Sequence, residues 1–391
     1  GNVLSQAQGY RERTGLVIMD SILAYILGLL TALVMAVLLR FRERWELSSF
    51  NGTSGKKKAA ISRAVEYRLS MGPYVAALGG GTGLSTLLRG LKSFTRNIVA
   101  VVTVTDEGGS SGRLREEWGV LPPGDVRNCI VALAENDNAL RRLLDFRFDR
   151  GALAGHSLGN LMLLAISEQS GDFRRAVEEM NNLLAIRGRV LPVTTEAVSL
   201  VAETAGGERI RGELSISEHG SEIRKIWLEP LDARPVGDVL RAIDEAEILV
   251  LGPGSLFTSV IPNLLIPKVS ERLRKAAVPK VYICNLMTQP GETEGLTLAD
   301  HVRWIASAMG VPPDYVIANV GEIPSHLMEK YGNEGAVPLA ATDRDREELD
   351  EMGCILLEGN FVQIIEGSLL RHDGQALSHL LVRLCRELKE D

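Results

Sequence analysis

The residues best placed to do chemistry in this chain are glycines. Gly79, Gly80, Gly81, Thr82 and Gly83 form the string GGGTG directly behind the apolar run Tyr74–Leu78 (YVAAL). A helical stretch, Leu84–Lys92, follows, with apolar residues at Leu84, Leu87, Leu88 and Leu91. A strand that ends in glycines and opens a helix lets backbone N–H groups approach phosphate oxygens with no Cβ in the way. The helix N-terminus adds partial positive charge. The dinucleotide fingerprint GxGxxG fails, because Leu84 and Thr86 stand where its last glycine belongs. The Walker A pattern fails as well, since no lysine follows the glycines. The loop therefore points to phosphate but not to NAD or ATP, which counts against a nicotinamide-dependent oxidoreductase.

Two further strings have the same character. Thr105–Arg115 (TDEGGSSGRLR) follows the apolar run Ile98–Val104 and reads as a second loop beside the first. Asp106 sits at the strand end, where an acid holds a ribose or a metal ion. Gly109, Ser110 and Ser111 supply backbone and hydroxyl donors, and Arg113 and Arg115 can clamp phosphate. The third string is GPGS, with Gly252, Gly254 and a helix-capping Ser255, after EILVL. Three glycine loops behind three parallel strands converge on one crevice. Weaker candidates lie in Pro122–Asn128 (PPGDVRN), where Asp125 reads first as a helix N-cap beside Asn128. Gly155–Asn160 (GHSLGN) lacks the spacing of a nucleophile elbow, so Asn160 is a ligand contact or a turn residue. Asp373 reads as the N-cap of the last helix, with Arg371 beside it solvated.

These loops need a sheet to hold them. The β-branched runs Ile98–Val104, Ala246–Leu251, Val281–Cys284 and Tyr315–Ala318 show little alternation, as expected of strands covered on both faces. The last three each lie beside a helical stretch: Val236–Asp244, Ser270–Lys275 or Leu298–Met309. The expected fold is α/β, a Rossmann-like three-layer parallel sheet. Two insertions break the rhythm. Asp125–Ile186 reads as mainly helical. Within Thr195–Leu228, alternation through Arg209–Ile216 and Ser221–Leu228 predicts a small antiparallel hairpin turning near Gly220.

Composition narrows the function classes. The chain of 391 residues carries a formal net charge of -7, which is unfavourable for sequence-independent nucleic-acid binding. Cys129, Cys284, Cys354 and Cys385 are dispersed, with no CxxC pair, as in a reducing compartment. No histidine spacing matches a metal motif, so a divalent ion would need carboxylates and ligand phosphates. Ile22–Leu39 contains no charged residue over 18 positions. Together with Leu16–Met19 it nears the roughly 20 residues that cross a bilayer. From Arg40 to Arg68, eight cations stand against Glu43, Glu46 and Glu66. That excess predicts a body in the cytoplasm. The expected layout is a transmembrane anchor over 1–45, a basic flexible linker over 46–72, and a Rossmann-like, phosphate-binding domain over 73–391.

Seven strings in order resemble the gluconeogenesis-factor family (YvcK-like), which stands with the CofD-like transferases. They are Gly79–Lys92, Thr103–Arg115, Pro122–Cys129, Gly155–Leu161, Leu191–Glu196, Leu251–Ile266 and Cys284–Gly295. The resemblance implies a Rossmann-like fold that binds a UDP-sugar, typically UDP-N-acetylglucosamine. It also implies a non-catalytic regulator that supports cell shape and cell-wall synthesis during gluconeogenic growth, working with cell-wall or regulatory proteins. It attaches no reaction to this branch and leaves a homo-oligomer open. The related transferases imply the alternative, a magnesium-dependent enzyme of the 2-phospho-L-lactate transferase type, with Asp106 holding the ion. By the same resemblance Thr82 is the phosphate-loop threonine, and Tyr331, in KYGNEGAVPL, and Arg371 hold the nucleotide sugar. The chain departs from the family in Asp106-Glu107, where two aspartates are usual, and in its apolar N-terminal segment.

Overall fold

Strands that alternate with helices and lack a polar face should be buried on both sides, and they are. In a computed structural model of the chain, residues 63–135, 139–219 and 222–390 are described. Arg68–Asp391 forms one compact unit. Among the described residues, seven parallel strands form the main sheet, in the order β10-β9-β8-β7-β1-β2-β3. They are β1 (Val75–Gly79), β2 (Ile98–Val102), β3 (Arg189–Pro192), β7 (Ile248–Leu251), β8 (Lys280–Ile283), β9 (Tyr315–Asn319) and β10 (Ile355–Gly359). All five residues of β1 are buried. Ala76 and Leu78 face one core, and Val75 and Ala77 face the other.

Helices cover both faces. They are α1 (Gly81–Leu91), α2 (Gly109–Trp118), α3 (Gly124–Leu133), α4 (Ala139–Asp145), α5 (Leu158–Ser170), α6 (Phe173–Leu183), α7 (Glu213–His219), α8 (Gly237–Glu245), α9 (Ile261–Leu264), α10 (Pro267–Lys275), α11 (Leu298–Met309), α12 (Ser325–Asn333), α13 (Asp343–Glu351) and α14 (Gly374–Glu390). Helices α1, α3, α6 and α14 pack on one face, and α8, α10 and α11 on the other. Helices α3 to α6 make the helical insertion, as read from the sequence.

The β insertion is real but differs in its pairing. Strand β4 (Ser199–Thr204) is central, flanked antiparallel by β5 (Arg209–Arg211) and β6 (Ile223–Glu229). The expected strand Arg209–Ile216 stops at Arg211 because Gly212 takes a left-handed φ of 97° and turns the chain into α7. Gly220 and Ser221, at the expected turn, lie outside the described residues. So does the apolar segment Ile22–Leu39. No helix among the described residues is long and apolar enough to cross a membrane.

The loop expected over Thr105–Arg115 is half helix. Asp106 Oδ1 accepts from the Gly108 amide at 2.8 Å, and the chain enters α2 at Gly109. A Cβ on Gly112 would lie 1.9 Å from the Glu107 carbonyl oxygen, so this glycine serves helix packing.

The closest helix contact joins α1 to the start of α14. A Cβ on Gly90 would lie 2.0 Å from the Gly374 carbonyl oxygen, and one on Gly374 would lie 2.2 Å from that of Thr86. Gly90→Ala should therefore cost about 2 kcal/mol or more through overpacking, because backbone cannot yield as a side chain can. Urea denaturation checks this, and a loss no larger than that of an exposed Gly→Ala change would contradict the tight contact.

Candidate functional site

The chain leaves β1 for β2 on one side, while β7 lies on the other. The crossovers part at this point, where open α/β sheets leave a crevice at their carboxyl edge. The crevice holds about 470 Å³. It is lined by Gly80–Gly83, by Gly254 and Ser255, by Asn285–Pro290, and by Tyr331 and Arg371.

Each wall follows from local sequence. Gly80 is extended, and a Cβ there would lie 2.5 Å from Asp125 Oδ2. Gly81 takes a φ of 60°, and its amide donates to the Asp125 carboxylate. A Cβ on Gly83 would lie 2.5 Å from the Pro253 carbonyl oxygen, so the first and third loops touch backbone to backbone. Asn263 Nδ2 ties them together, donating to the Gly79 carbonyl at 3.2 Å and to that of Ser259 at 2.9 Å. Helix α1 begins with no side-chain cap and no acid in its first turn. The Gly81 amide serves Asp125, while Thr82 and Gly83 of the same turn line the crevice, where the helix dipole suits an anion.

The sequence-nominated residues divide into two groups. Gly80, Gly81, Thr82, Gly83, Asp125, Gly254, Ser255, Tyr331 and Arg371 line the crevice. Gly79 and Gly252 lie behind it as the strand ends that aim the loops. The second string is set further back. Ser110 Oγ lies 2.9 Å from His156 Nδ1 and accepts from Asn160 Nδ2 at 3.0 Å. Ser111 Oγ accepts from the Gly124 amide at 3.0 Å. Gly109 is exposed at the start of α2, Arg113 donates to the Ala154 carbonyl at 2.7 Å, and Asn128 is half-buried on α3. Arg115 is bound to the Val198 carbonyl and to Glu107. These contacts brace α2 and α5 against the site.

Three local readings change. Asp125 caps no helix. Pro123 occupies the N-cap of α3, and the Asp125 carboxylate turns to the Gly81 amide. Ser255 donates to Gln289 Oε1 at 2.8 Å instead of capping a helix. Ser157 in GHSLGN is the N-cap of α5, with Oγ accepting from the Asn160 amide at 3.2 Å. Asp373 does cap α14, accepting from the Gln375 and Ala376 amides.

Several residues escaped the sequence reading. Glu213 lies on α7, within the stretch expected as a strand, and its Oε2 accepts from the Glu107 amide at 2.9 Å. Gln289 and Glu292 follow β8, a fourth strand end, and that position was the available signal. His372 donates from Nε2 to the Cys284 carbonyl at 3.0 Å, and burial pushes its pKa down to about 4.

One side of the site is acidic. Burial, and then the charge of Asp106, push Asp125 up to about 7. Burial and Asp106 likewise push Glu213 up to about 8. Glu292 is raised by burial, and its Oε2 has no hydrogen-bond partner. Among the described residues, no three acidic, histidine or cysteine side chains are grouped to hold a metal ion. Asp106 and Asp125 with ligand phosphate oxygens would be the donor set for magnesium.

Residues 75–362 match the family described as 2-phospho-L-lactate transferase CofD. The chain is 45% identical over 317 residues to the gluconeogenesis factor of Bacillus subtilis, covering 81% of this chain and 99% of that one. The chain belongs to the CofD family. Within the family its relatives are the gluconeogenesis factors. A putative gluconeogenesis factor of Nostoc is 44% identical over 319 residues, covering 81% of this chain and 69% of the relative. A crystal structure of a Bacillus halodurans protein superimposes with a TM-score of 0.77 at 42% identity, covering 80% of this chain and 99% of that one. Tyr331 lies inside the family match, and Arg371 lies beyond its end.

The raised carboxyls imply a pH dependence. Asp125 and Glu213 bind protons more tightly folded than unfolded, so their contribution is complete below the ordinary carboxylate range. It is lost as pH rises through about 7 and 8. The ligand-free protein should lose stability from about pH 5 to pH 8, and Asp125→Asn with Glu213→Gln should flatten the decline. Melting temperatures across that range check this; parallel curves for the two proteins would contradict it.

Proposed function

We propose that the crevice binds a uridine-diphosphate sugar, UDP-N-acetylglucosamine in particular, and that the chain is a regulator responding to it. The observation that carries this reading is the uncapped first turn of α1 lining one crevice together with Arg371. Backbone amides at a helix start and a guanidinium lining the same crevice suit the oxygens of a diphosphate. A volume of about 470 Å³ lies within the ordinary range for small-ligand sites. The likeness to gluconeogenesis factors supports a role in gluconeogenic growth, and the proposal extends that role to cell shape and cell-wall synthesis. Ile22–Leu39 would hold the body at the cytoplasmic face of the membrane. Release of the whole chain from membranes by salt alone would count against that anchor.

A second reading, a magnesium-dependent transferase of a phosphoryl-linked group, draws on Asp125 and Glu213. Carboxyls at about 7 and 8 are matched to proton transfer near neutral pH. Arg113, assigned by sequence to stabilise phosphate charge, is engaged with Ala154, so Arg371 is the better placed cation. In this reading Asp106→Asn should abolish turnover and leave ligand affinity largely intact.

Thermal-shift titration of the full chain separates the two readings. The ligands are UDP-N-acetylglucosamine, UDP-glucose, GDP and NAD, each with and without magnesium. A ligand at about 100 times its Kd adds roughly 2.7 kcal/mol, a readily seen shift. UDP-sugars alone should stabilise the protein. Stabilisation by GDP with magnesium and none by UDP-sugars would reject the sensor and favour the transferase.

A further inference from the structure

A second cavity, of about 340 Å³, lies between α1, the start of α14 and a hairpin formed by β11 (Val362–Ile365) and β12 (Leu369–His372). It shares Thr82, Thr86 and Arg371 with the crevice, so Arg371 stands in the partition between them. The second cation on its wall is Arg89, exposed in the last turn of α1.

Several surface arginines of this acidic chain find carboxylates, as Arg303 does with Asp300 and Glu348, or Arg272 with Asp244, while others such as Arg113 bond only to carbonyls. Among the described residues Arg89 and Arg371 form no such pair, and Arg371 donates to the carbonyl of its neighbour Leu370 at 3.2 Å. The cavity's own carboxylate, Asp373, is already engaged by the Gln375 and Ala376 amides through Oδ1. Two guanidinium groups thus line one concavity with neither in an ion pair, although Asp145 acts on Arg89 through space, and such a lining suits an anion. The site is built on firm elements. The Gly90–Gly374 contact fixes its floor. The hairpin is pinned where Tyr331 Oη accepts from the Leu370 amide at 3.1 Å and Lys330 Nζ donates to the Ser368 carbonyl at 2.9 Å. Ile365 and Leu369 offer an apolar wall, and Gln363 an amide.

We propose that this cavity is a second anion site, one that takes a phosphate group, either free or on a small organic body. It rests on the nucleotide-sugar reading only in placing a different ligand in the crevice. Because both sites use Arg371, occupancy of one changes affinity at the other, and the coupling is reciprocal.

Equilibrium dialysis of the full chain tests this, with labelled inorganic phosphate and with glucose 6-phosphate, each with and without saturating UDP-N-acetylglucosamine. Saturable binding that persists beside the nucleotide sugar is expected. Arg89→Gln should weaken phosphate about tenfold, the loss of one charge-assisted contact, and leave nucleotide-sugar affinity unchanged. Arg89→Lys should restore part of it, and Arg371→Gln should weaken both ligands. Tighter binding of glucose 6-phosphate than of phosphate would assign the site to an organic phosphate, and equal binding to the free ion. Full displacement by the nucleotide sugar, binding unaffected by Arg89→Gln, or no saturable binding would overturn the proposal. Failure of the nucleotide sugar itself to bind would sink the sensor reading, and Arg89→Gln would still decide this one.

Discussion

The crevice depends on how closely two backbones approach at the carboxyl edge of β1. Gly83 rests against the carbonyl of Pro253, with no space for a Cβ between them. That contact presses the first loop onto the third and leaves Thr82 as the side chain between the two glycines that open α1. Any larger residue would push the loops apart, fill the crevice, or do both. Hydrogen bonds from Asn263 hold the same junction from below. Anion affinity at a helix terminus needs amides that are unshielded and fixed in place. Backbone packing supplies both here, and no cationic side chain is required in the loop itself.

The wall that carries Arg371 rests on a different device. Leu286, Leu327 and Leu370 form a small apolar cluster of their own, with Met287, Tyr331 and Val362 packed against it. It is separate from the two main cores on the faces of the sheet. Tyr331 bonds the Leu370 amide, so the residue before Arg371 is held directly. His372, on its other side, is tied to the carbonyl at the end of β8. Arg371 is therefore positioned from both flanks while its guanidinium stays unpaired. The hairpin that carries it is otherwise largely exposed. A small cluster of this kind opens more readily than a main core, so the cationic wall is the part of the site best able to adjust to a ligand.

Much of this was legible in the sequence, for a physical reason. A parallel strand buried on both faces must be apolar throughout, and the turn behind it must bend within a few residues. The pattern of apolar run, glycines and helix thus carries both the strand and its functional end. β1, β2 and β7 with their loops announced themselves in this way. What was hidden depended on tertiary contact. Asp125 looked like a helix cap because a carboxylate at a helix start usually is one, and only the folded loop shows the Gly81 amide it serves. Ser110, Ser111 and Arg113 had the composition of a phosphate loop, but α2 turns them toward α5 and α3. Glu213 was lost because Gly212, one residue before it, converts an apparent strand into a helix.

The crevice sets carboxyls beside the amides of α1, and this constrains the ligand. Asp106, Asp125 and Glu213 crowd one side, and burial raises two of the three. Three ionised carboxylates would repel the same diphosphate that α1 and Arg371 attract. The conflict is resolved when Asp125 and Glu213 carry protons or a cation shares the oxygens. A protonated carboxyl is also a hydrogen-bond donor, and it can serve a phosphate or a sugar hydroxyl equally well. The acidic side then tunes affinity to pH and to available cations, while the backbone of α1 sets where the phosphates lie. A regulator and a transferase would both use that arrangement. The difference lies in whether a proton held at Asp125 or Glu213 moves during a cycle or only accompanies binding.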